Sequence, residues 1–174
     1  MEALKGQKVV LRLLELTDID AVYRIENNED FWNIGDTRGP FSLQSIQEYV
    51  ANAKLDVYEV QQLRLAICDL KTDRLIGLLD LFDFDIYHSR AGLGILIEYP
   101  EDRKKGFGTE SLALLKTYAK NVLGLHQLYA NILEDNVASI TLFEKQDFKK
   151  IGVKKDWRRE GDNFKNELLY QHIL

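Results

Sequence analysis

The chain has 174 residues, of which 45% are hydrophobic, and a formal net charge of −5. This length allows one domain with a full core and is short for two, so a single domain spanning 1–174 is predicted. The acidic balance argues against a generic nucleic-acid surface, and the single cysteine, Cys68, excludes an internal disulfide and a cysteine-rich metal site. No stretch approaches about 20 apolar residues and no signal region opens the chain, so we expect a cytoplasmic protein without a membrane partner.

The first part of the chain predicts a strand followed by two helices. A β-branched, leucine-rich stretch predicts the strand Val9–Leu14, and a helix then follows to about Glu26. Asn27–Pro40 is predicted to be irregular, because asparagines, glycines and a proline break any period. The second helix is expected from Leu43 to about Lys54. Two aromatic residues of the irregular segment, Phe31 and Trp32, either form a substrate wall or fix the segment to the core.

Three antiparallel strands are predicted next, at Leu63–Asp69, Arg74–Phe84 and Arg90–Ile97. Two-residue alternation places Asp80 and Asp83 on opposite faces of the sheet unless a bulge lies between them. The third strand carries two internal glycines, which are typical of a bulge or of a close approach by another group.

The remaining elements alternate between helices and strands and end in a hairpin. They are predicted as helix Ser111–Leu123, strand Gln127–Leu133, helix Asn136–Gln146, and strands Phe148–Trp157 and Asn166–Ile173.

The turn between the third strand and the long helix has the composition of a phosphate site. Glycines at 106 and 108 let the backbone approach a ligand closely, and the N–H groups and dipole of the first helical turn attract anions. Three cations, Arg103, Lys104 and Lys105, stand beside them. A Walker loop is absent, and the third glycine of a dinucleotide fingerprint is missing. The pattern that remains is R-x-x-G-x-G, formed by Arg103, Gly106 and Gly108.

This pattern resembles the pyrophosphate-binding motif of the GNAT superfamily, the acyl-CoA-dependent N-acyltransferases. A second block, Glu134–Phe148, is similar to the family's N-x-x-[AS]-I-x-x-[YF]-x-K-x-G-F segment. The segments Arg90–Ile97 and Tyr99–Glu110 look most like the branch that holds polyamine and ribosomal-protein N-terminal acetyltransferases. The resemblance covers most of Val9–Phe148. It implies a single-domain α+β fold with a mostly antiparallel mixed sheet, a splayed central strand pair and flanking helices.

The resemblance also implies a site for acetyl-CoA. Backbone groups of the splayed strand would hydrogen-bond the pantetheine arm, an N–H near Ile97 would stabilise the thioester oxygen, and the amides of the glycine-rich turn would hold the pyrophosphate. The residues assigned to the cofactor are Leu96, Ile97, Arg103, Lys104, Lys105, Gly106, Phe107, Gly108, Thr109, Asn136 and Lys145.

Two positions depart from the family pattern. The tyrosine that protonates the leaving thiolate is replaced by Phe143, and the glycine before the final phenylalanine is replaced by Asp147. A thiol with a pKa near 8.5 leaves as thiolate at pH 7 at a cost of about 2 kcal/mol. We therefore expect a slow rather than inactive enzyme, unless another hydroxyl, such as Tyr129 or Ser139, takes over the role.

The expected reaction is direct attack of a primary amine on the acetyl-CoA thioester, without a covalent enzyme intermediate. An alkylammonium group has a pKa near 10.4, so a base must accept its proton. The candidates are an ordered water, Asp80, Asp83, Glu98 and His88, among which the sequence does not choose. The few scattered histidines give a metal site little support.

The acceptor is predicted to be a small polyamine or diamine, because the chain is acidic. Six carboxylates fall in segments expected to flank the acceptor groove: Glu26, Glu29, Asp30, Asp36, Asp80 and Asp83. Trp157, Arg158 and Arg159 are interpreted as the edge of a hairpin rather than as an acceptor wall. The alternatives are the N-terminus of a ribosomal protein as acceptor and a CoA-binding module without turnover. A homodimer through the terminal strands is a further hypothesis.

Overall fold

The computed structural model describes residues 4–35, 37–53 and 57–174, the side chains of residues 57 and 58 excepted. Two predicted features, the carboxylate Asp36 and the end of the second helix at Lys54, lie outside the described residues. The strands are β1 Val9–Leu13, β2 Leu63–Asp69, β3 Leu75–Asp85, β4 Arg90–Ile97, β5 Gln127–Leu133, β6 Lys149–Glu160 and β7 Asn163–Ile173. The helices are α1 Ile19–Glu26, α2 Glu29–Gly35, α3 Leu43–Asn52, α4 Val57–Val60, α5 Phe107–Asn121 and α6 Val137–Lys145.

The strands form one sheet in the order β1-β2-β3-β4-β5-β7-β6. Every pair is antiparallel except β4 and β5, which are parallel. The predicted α+β class and mostly antiparallel mixed sheet are thus confirmed. No helix in the described ranges is long and apolar enough to cross a membrane.

Apolar side chains cover both faces of the sheet. On one face α5 and α6 pack against the strands through buried residues such as Leu112, Leu115 and Phe143. On the other face α1 and α3 supply Val22 and Ile46 to a second apolar cluster. Burial on both sides explains why the central strands are rich in β-branched and leucine residues rather than strictly alternating. The helices hold the sheet from both sides and leave the open ends of the strands available for a site.

The prediction of an irregular segment at 27–40 is wrong, because Glu29–Gly35 forms helix α2. The Asn28 side chain accepts a hydrogen bond from the Asp30 N–H at 3.0 Å, and two carboxylates occupy the first turn, where the helix dipole favours them. The Trp32 indole N–H donates to the Glu26 carbonyl at 2.9 Å. These local bonds form a short helix that the apolar period did not indicate.

A bulge near the end of β3 changes where the acidic residues of that strand lie. Asp83 has φ +49°, and the β3–β4 register shifts between Phe82 and Asp85. Phe84 consequently joins the core cluster on the face of Leu79. Asp83 accepts a 3.2 Å hydrogen bond from Tyr129, whose ring stands edge-on to Phe82. The opposite-face arrangement expected without a bulge therefore does not form.

The turn after α6 forms despite the missing glycine. Asp147 adopts φ +65°, the left-handed conformation that a glycine would take at this place. Its N–H donates to the Glu144 carbonyl at 3.1 Å, and the Phe148 N–H donates to the Phe143 carbonyl at 3.1 Å. Aspartate tolerates this conformation better than most residues, so the chain turns into β6 as the family pattern requires.

Strands β4 and β5 pair over a short distance and then separate. Their pairing runs from Arg90↔Gln127 to Gly92↔Tyr129 and stops there. Beyond Gly92, β4 continues beside β3 alone, and β5 continues beside β7. The splayed central pair is confirmed, and it opens a gap in the middle of the sheet, which we call the strand cleft.

Replacement of Gly92 by alanine is predicted to lower the free energy of unfolding by about 1–3 kcal/mol, the usual cost of overpacking a core. An added Cβ would lie 2.2 Å from Cε2 of Phe82. Gly94→Ala is the matched control, since its Cβ would lie 3.8 Å from the same ring, an ordinary contact. Urea unfolding of both variants tests this, and equal stability of the two would contradict the packing.

Candidate acyl-CoA and acceptor site

The start of α5 presents a row of free backbone donors. The first hydrogen bond of the helix runs from the Glu110 N–H to the Gly106 carbonyl at 3.0 Å. None of the N–H groups from Lys104 to Thr109 has an acceptor in the described part of the chain, and no side chain caps the helix. Lys104 at φ +60° and Gly106 at φ +89° turn the backbone so that successive amides converge. Such an arrangement binds phosphate.

The cations of this turn are held in distinct ways. The Arg103 guanidinium folds back onto β4, where Nη2 donates to the carbonyls of Ile97 at 3.2 Å and Glu98 at 3.3 Å. Lys105 lies 3.4 Å from buried Asp102, whereas the Lys104 side chain is exposed. Arg103 therefore fixes the junction between β4 and the turn, and the lysines remain at its surface.

Lys8 is a further cation at this turn, which the sequence interpretation missed. Its Nζ donates to the Lys105 carbonyl at 2.8 Å and lies 3.0 Å from the place where a Cβ on Gly106 would be. The Glu110 carboxylate accepts the N–H groups of Gln7, Lys8 and Val9 at 2.8–2.9 Å. Burial would raise the pKa of Glu110, but these donors hold it below its ordinary value. The first-turn carboxylate thus faces the segment before β1 and fastens Lys8 beside the turn.

The free backbone of β4 faces the strand cleft at alternate residues. The Glu98 N–H donates to the Ile76 carbonyl of β3 at 2.9 Å. By the alternation of an antiparallel strand, Leu96 also bonds toward β3, whereas Ile95 and Ile97 direct their N–H groups into the cleft. The Leu96 N–H, predicted to bond the pantetheine arm, is thus directed toward β3, and the N–H of the neighbouring Ile95 is directed away from it. The Ile97 carbonyl is already bonded to Arg103, so its N–H is the group left for a ligand.

Side chains of α2, β4, β5, α6 and the C-terminal strands line the strand cleft. The lining residues are Asn33, Ile34, Leu93, Gly94, Ile95, Ala130, Asn131, Ile132, Leu133, Asn136, Ser139, Phe143, Arg158 and Glu167.

Helix α6 brings two of the predicted site residues to this cleft. The Asn136 carboxamide oxygen accepts the Ser139 N–H at 3.1 Å and caps the helix, which fixes the residue at the cleft wall. Phe143 is 3% exposed and packs edge-on against Phe148. Lys145 lies exposed in the last turn and lines no described part of the cleft. The structure thus assembles the cofactor residues assigned from the sequence, with Leu96 and Lys145 set apart.

The four side chains considered as bases lie in different surroundings, and none of them lines the strand cleft as described. Glu98 is buried and paired with Arg24, and His88 lies in the turn between β3 and β4. The Asp83 carboxylate accepts a hydrogen bond from the Tyr129 hydroxyl. Asp80 stands opposite Gly94 in the strand register, and Gly94 lines the cleft.

Asp80 belongs to a partly buried ion cluster. The Arg64 Nε lies 2.5 Å from the Asp80 carboxylate, and Nη1 bonds Glu26. The Arg64 guanidinium also lies 5.2 Å from the centroid of the Tyr49 ring. Burial alone would lower the pKa of Arg64, but the two carboxylates and Tyr49 raise it. Glu26 and Asp80 therefore share one arginine within the protein, which leaves the cluster with one net negative charge.

Of the two hydroxyls considered as substitutes for the missing tyrosine, Ser139 is the one at the strand cleft. It lies one turn before Phe143 on α6, and its hydroxyl has no hydrogen-bond partner among the described residues. Tyr129 lies where β4 and β5 are still paired. Burial, followed by the nearby charge of Asp83, raises the pKa of Tyr129 to about 12. The Tyr129 hydroxyl already donates its proton to the hydrogen bond with Asp83.

A second cleft of about 640 Å³ lies between α2 and the β6–β7 hairpin. We call it the hairpin cleft. It is lined by Trp32, Asn33, Thr37, Arg38, Leu133, Trp157, Arg158, Arg159, Glu160, Gly161, Phe164 and Lys165. The Asn33 amide donates to the Glu160 carboxylate at 3.2 Å and links the two walls. Trp32, interpreted either as a substrate wall or as a core anchor, lines the cleft. Trp157, Arg158 and Arg159 lie on the edge strand β6 of the hairpin, as predicted, and also line this cleft.

Sequence reasoning missed Glu167 as well. This buried carboxylate on β7 lines the strand cleft and pairs with Lys154 at 3.0 Å and Arg158 at 3.1 Å. Its place next to the apolar residues Leu168, Leu169 and Tyr170 of a predicted strand is the available signal. In the described residues, no group of three or more His, Cys, Asp or Glu side chains is placed to hold a metal ion.

These features fit an acyl-CoA: an uncapped helix start with converging amides and cations suits the diphosphate, and free strand amides suit the amide-rich arm. The family model described as "Acetyltransferase (GNAT) domain" matches residues 8–149. The chain therefore belongs to the GNAT acetyltransferase family, and the enzyme class predicted from the sequence, an acetyl-CoA-dependent N-acetyltransferase, is confirmed.

Individual relatives agree with this assignment. The uncharacterized N-acetyltransferase YoaA of Bacillus subtilis is 25% identical over 154 residues, covering 88% of this chain and 86% of that protein. The N-acetyltransferase p20 of Bacillus licheniformis is 26% identical over 165 residues, covering 91% and 89%. The fold is similar to spermidine N-acetyltransferase from Vibrio cholerae, solved with CoA and spermine, with a TM-score of 0.85, 21% identity, and coverage of 97% and 96%.

The Gly106→Ala variant is predicted to weaken acetyl-CoA binding several-fold. An L-residue at φ +89° costs about 1–2 kcal/mol, and relief of that strain would turn the converging amides away from the phosphates. Gly124→Ala is the matched control, because Gly124 has φ +65° with no atom within 4 Å of an added Cβ. Both variants should lose similar amounts of stability. Calorimetric titration with acetyl-CoA should nevertheless show weaker binding for Gly106→Ala alone. Identical affinities would show that the turn does not hold the phosphates.

Proposed function

We propose that the protein transfers the acetyl group of acetyl-CoA to a primary amine bound between the strand cleft and the hairpin cleft. The observation that carries the proposal is the separation of β4 from β5 beside the uncapped start of α5. The separation of the strands leaves amides of β4 free, and the start of α5 supplies amides that can bind a phosphate. Together they support a thioester position at the middle of the sheet.

In the proposed reaction the amine nitrogen bonds to the carbonyl carbon of the thioester, the C–S bond breaks, and the nitrogen loses a proton. The Ile97 N–H, which faces the strand cleft, donates to the carbonyl oxygen as negative charge develops on it. No nucleophilic side chain is required. Since no candidate carboxylate lines the described cleft and Asp80 is bonded to Arg64, an ordered water is the proposed carrier of the amine proton.

The departing sulfur receives its hydrogen bond from Ser139 in this proposal. Phe143 offers no proton, and the Tyr129 hydroxyl is held by Asp83. Ser139 occupies the wall of the strand cleft on the same helix. A serine hydroxyl is a weak acid, but it can donate a hydrogen bond to a thiolate that leaves at modest cost at neutral pH.

The polyamine acceptor predicted from the acidic composition is supported by the fold similarity to spermidine N-acetyltransferases. Three of the carboxylates named for this acceptor already have partners within the protein, since Glu26 and Asp80 are bonded to Arg64 and Asp83 accepts a hydrogen bond from Tyr129. The ribosomal-protein N-terminus, the cytoplasmic location and the homodimer stay predictions. One Vibrio cholerae spermidine N-acetyltransferase structure of similar fold is dodecameric, with a TM-score of 0.79 and 22% identity, which favours self-association as a hypothesis for this chain.

The protein is expected to release thiol from acetyl-CoA when primary amines are supplied, and to release less from longer acyl-CoAs. Detection of free thiol over an amine panel measures this directly. A CoA-binding module without turnover would bind acetyl-CoA and release no thiol with any amine, and that result would overturn the proposed function.

Ser139→Ala is predicted to lower kcat without changing the KM for acetyl-CoA, and Phe143→Tyr is predicted to raise kcat. The thiolate costs about 2 kcal/mol at pH 7, so neither change should exceed about thirtyfold. Thr141→Ala is the control, since this exposed threonine lies on the same helix and bonds the Val137 carbonyl. An unchanged kcat for Ser139→Ala, or no gain for Phe143→Tyr at any pH, would place these residues out of reach of the sulfur.

A further inference from the structure

The hairpin cleft is continuous with the strand cleft. Asn33, Leu133 and Arg158 line both. A molecule in the hairpin cleft can therefore extend an amine toward the thioester position beside Ile97. The hairpin cleft is the part of the site that contacts the rest of the acceptor, so its chemistry should select the acceptor.

The charge of this cleft is opposite to that of the chain. The whole protein carries 28 acidic and 23 basic residues. The hairpin cleft is nevertheless lined by four cations and one carboxylate, which are Arg38, Arg158, Arg159, Lys165 and Glu160. A cationic acceptor would meet like charge there, which is unfavourable in a concave site with reduced screening.

Two of the four cations are paired with carboxylates of the protein. Lys165 lies 2.6 Å from Asp135 and 2.5 Å from Glu160, and Arg158 lies 3.1 Å from buried Glu167. These pairs fix the two side chains in the walls of the cleft.

The remaining two cations, Arg38 and Arg159, keep their charge available. The Arg159 side chain is 71% exposed, and its nearest carboxylate, Asp162, is fully exposed and 4.0 Å away. The Arg159 Nε donates to the Gly161 carbonyl at 2.9 Å, which fixes the start of the guanidinium and leaves its other N–H groups for a ligand. Arg38 is exposed and makes no ion pair with a described residue.

Aromatic rings line the hairpin cleft together with these cations. Trp157 is 59% exposed and Phe164 is 56% exposed, although both are large apolar side chains. Trp32 completes the lining from α2. Exposed aromatic residues in a concave site commonly contact the apolar part of a ligand. The cleft thus combines apolar aromatic surface with exposed guanidinium groups.

We propose that the acceptor is a primary amine that carries a negatively charged group, a carboxylate or a phosphate, which Arg38 and Arg159 bind. Guanidinium groups pair with both anions through parallel hydrogen bonds. The proposal rests on the acetyl transfer proposed above and names its acceptor class. The positions of the carboxylates expected to recognise a polyamine agree with this proposal. None of those that lie in the described residues lines the hairpin cleft.

A series of acceptors with one carbon chain and different ends tests the proposal. The compounds γ-aminobutyrate, n-butylamine and putrescine carry an anionic, a neutral and a cationic group at the end remote from the amine. We expect kcat/KM to fall in that order, with about a fivefold step between the first two, as for an exposed ion pair. Phosphoethanolamine and ethanolamine form a second pair, which distinguishes phosphate from carboxylate as the bound group.

Substitutions in the hairpin cleft test whether its two available arginines cause the preference among acceptors. Arg38→Gln and Arg159→Gln should each raise the KM for γ-aminobutyrate about fivefold, leave n-butylamine unchanged and lower the KM for putrescine. Arg90→Gln is the matched control, because this exposed arginine lies at the opposite end of β4 and pairs with Asp85 at 3.0 Å. It changes the net charge equally and should leave all acceptors unaffected.

The outcomes separate the two proposals. Turnover with equal kcat/KM for the three amines, or a preference for putrescine, would overturn the anionic acceptor and retain the acetyltransferase. An equal effect of Arg90→Gln would attribute the preference to net charge and also overturn it. Absence of thiol release with every amine would overturn the proposed function itself.

Discussion

The site depends on the separation of β4 from β5 after three paired residues. A strand that leaves its neighbour exposes a row of N–H and C=O groups that must find other partners. Here Arg103 bonds one of the carbonyls, and the N–H of Ile97 remains. The start of α5 has the same property, because its amides lack both a cap and a backbone acceptor. The separated strand and the helix start both carry N–H groups without acceptors. A molecule with a diphosphate and an amide-rich arm supplies those acceptors.

The packing around this gap explains why it persists in the fold. Helices α5 and α6 meet closely at the open end of β4, since Gly108 of α5 lies where a Cβ would be 3.2 Å from Leu142 of α6. The core cluster beneath them includes Phe143 and fixes α6 against the sheet. On the other face α2 lies over the gap through Asn33 and Ile34. The strands are thus held apart by packing on both faces, and ligand binding needs no new element of structure.

Much of the fold and of the phosphate site could be predicted from the sequence, because the signals were local. The glycines and cations of the turn before α5 lie within a few residues of one another, and β4 and α6 have clear apolar patterns. Helix α2 was missed because hydrogen bonds from Asn28 and Trp32, rather than an apolar period, form it. The acceptor prediction relied on composition, which does not show which carboxylates pair with an arginine of the protein. Arg64 bonds two of them across 16 and 38 residues of sequence, and such long-range pairs become visible only in three dimensions.

The most direct test of this account is amide hydrogen exchange of β4, residue by residue, with and without acetyl-CoA. The account predicts that the N–H groups of Ile95 and Ile97 exchange rapidly in the free protein and become protected when acetyl-CoA binds. Leu96, whose N–H is directed toward β3, serves as the internal reference and should be protected in both states. Binding of acetyl-CoA without protection of Ile97 would contradict the central claim that the separated strand holds the thioester arm.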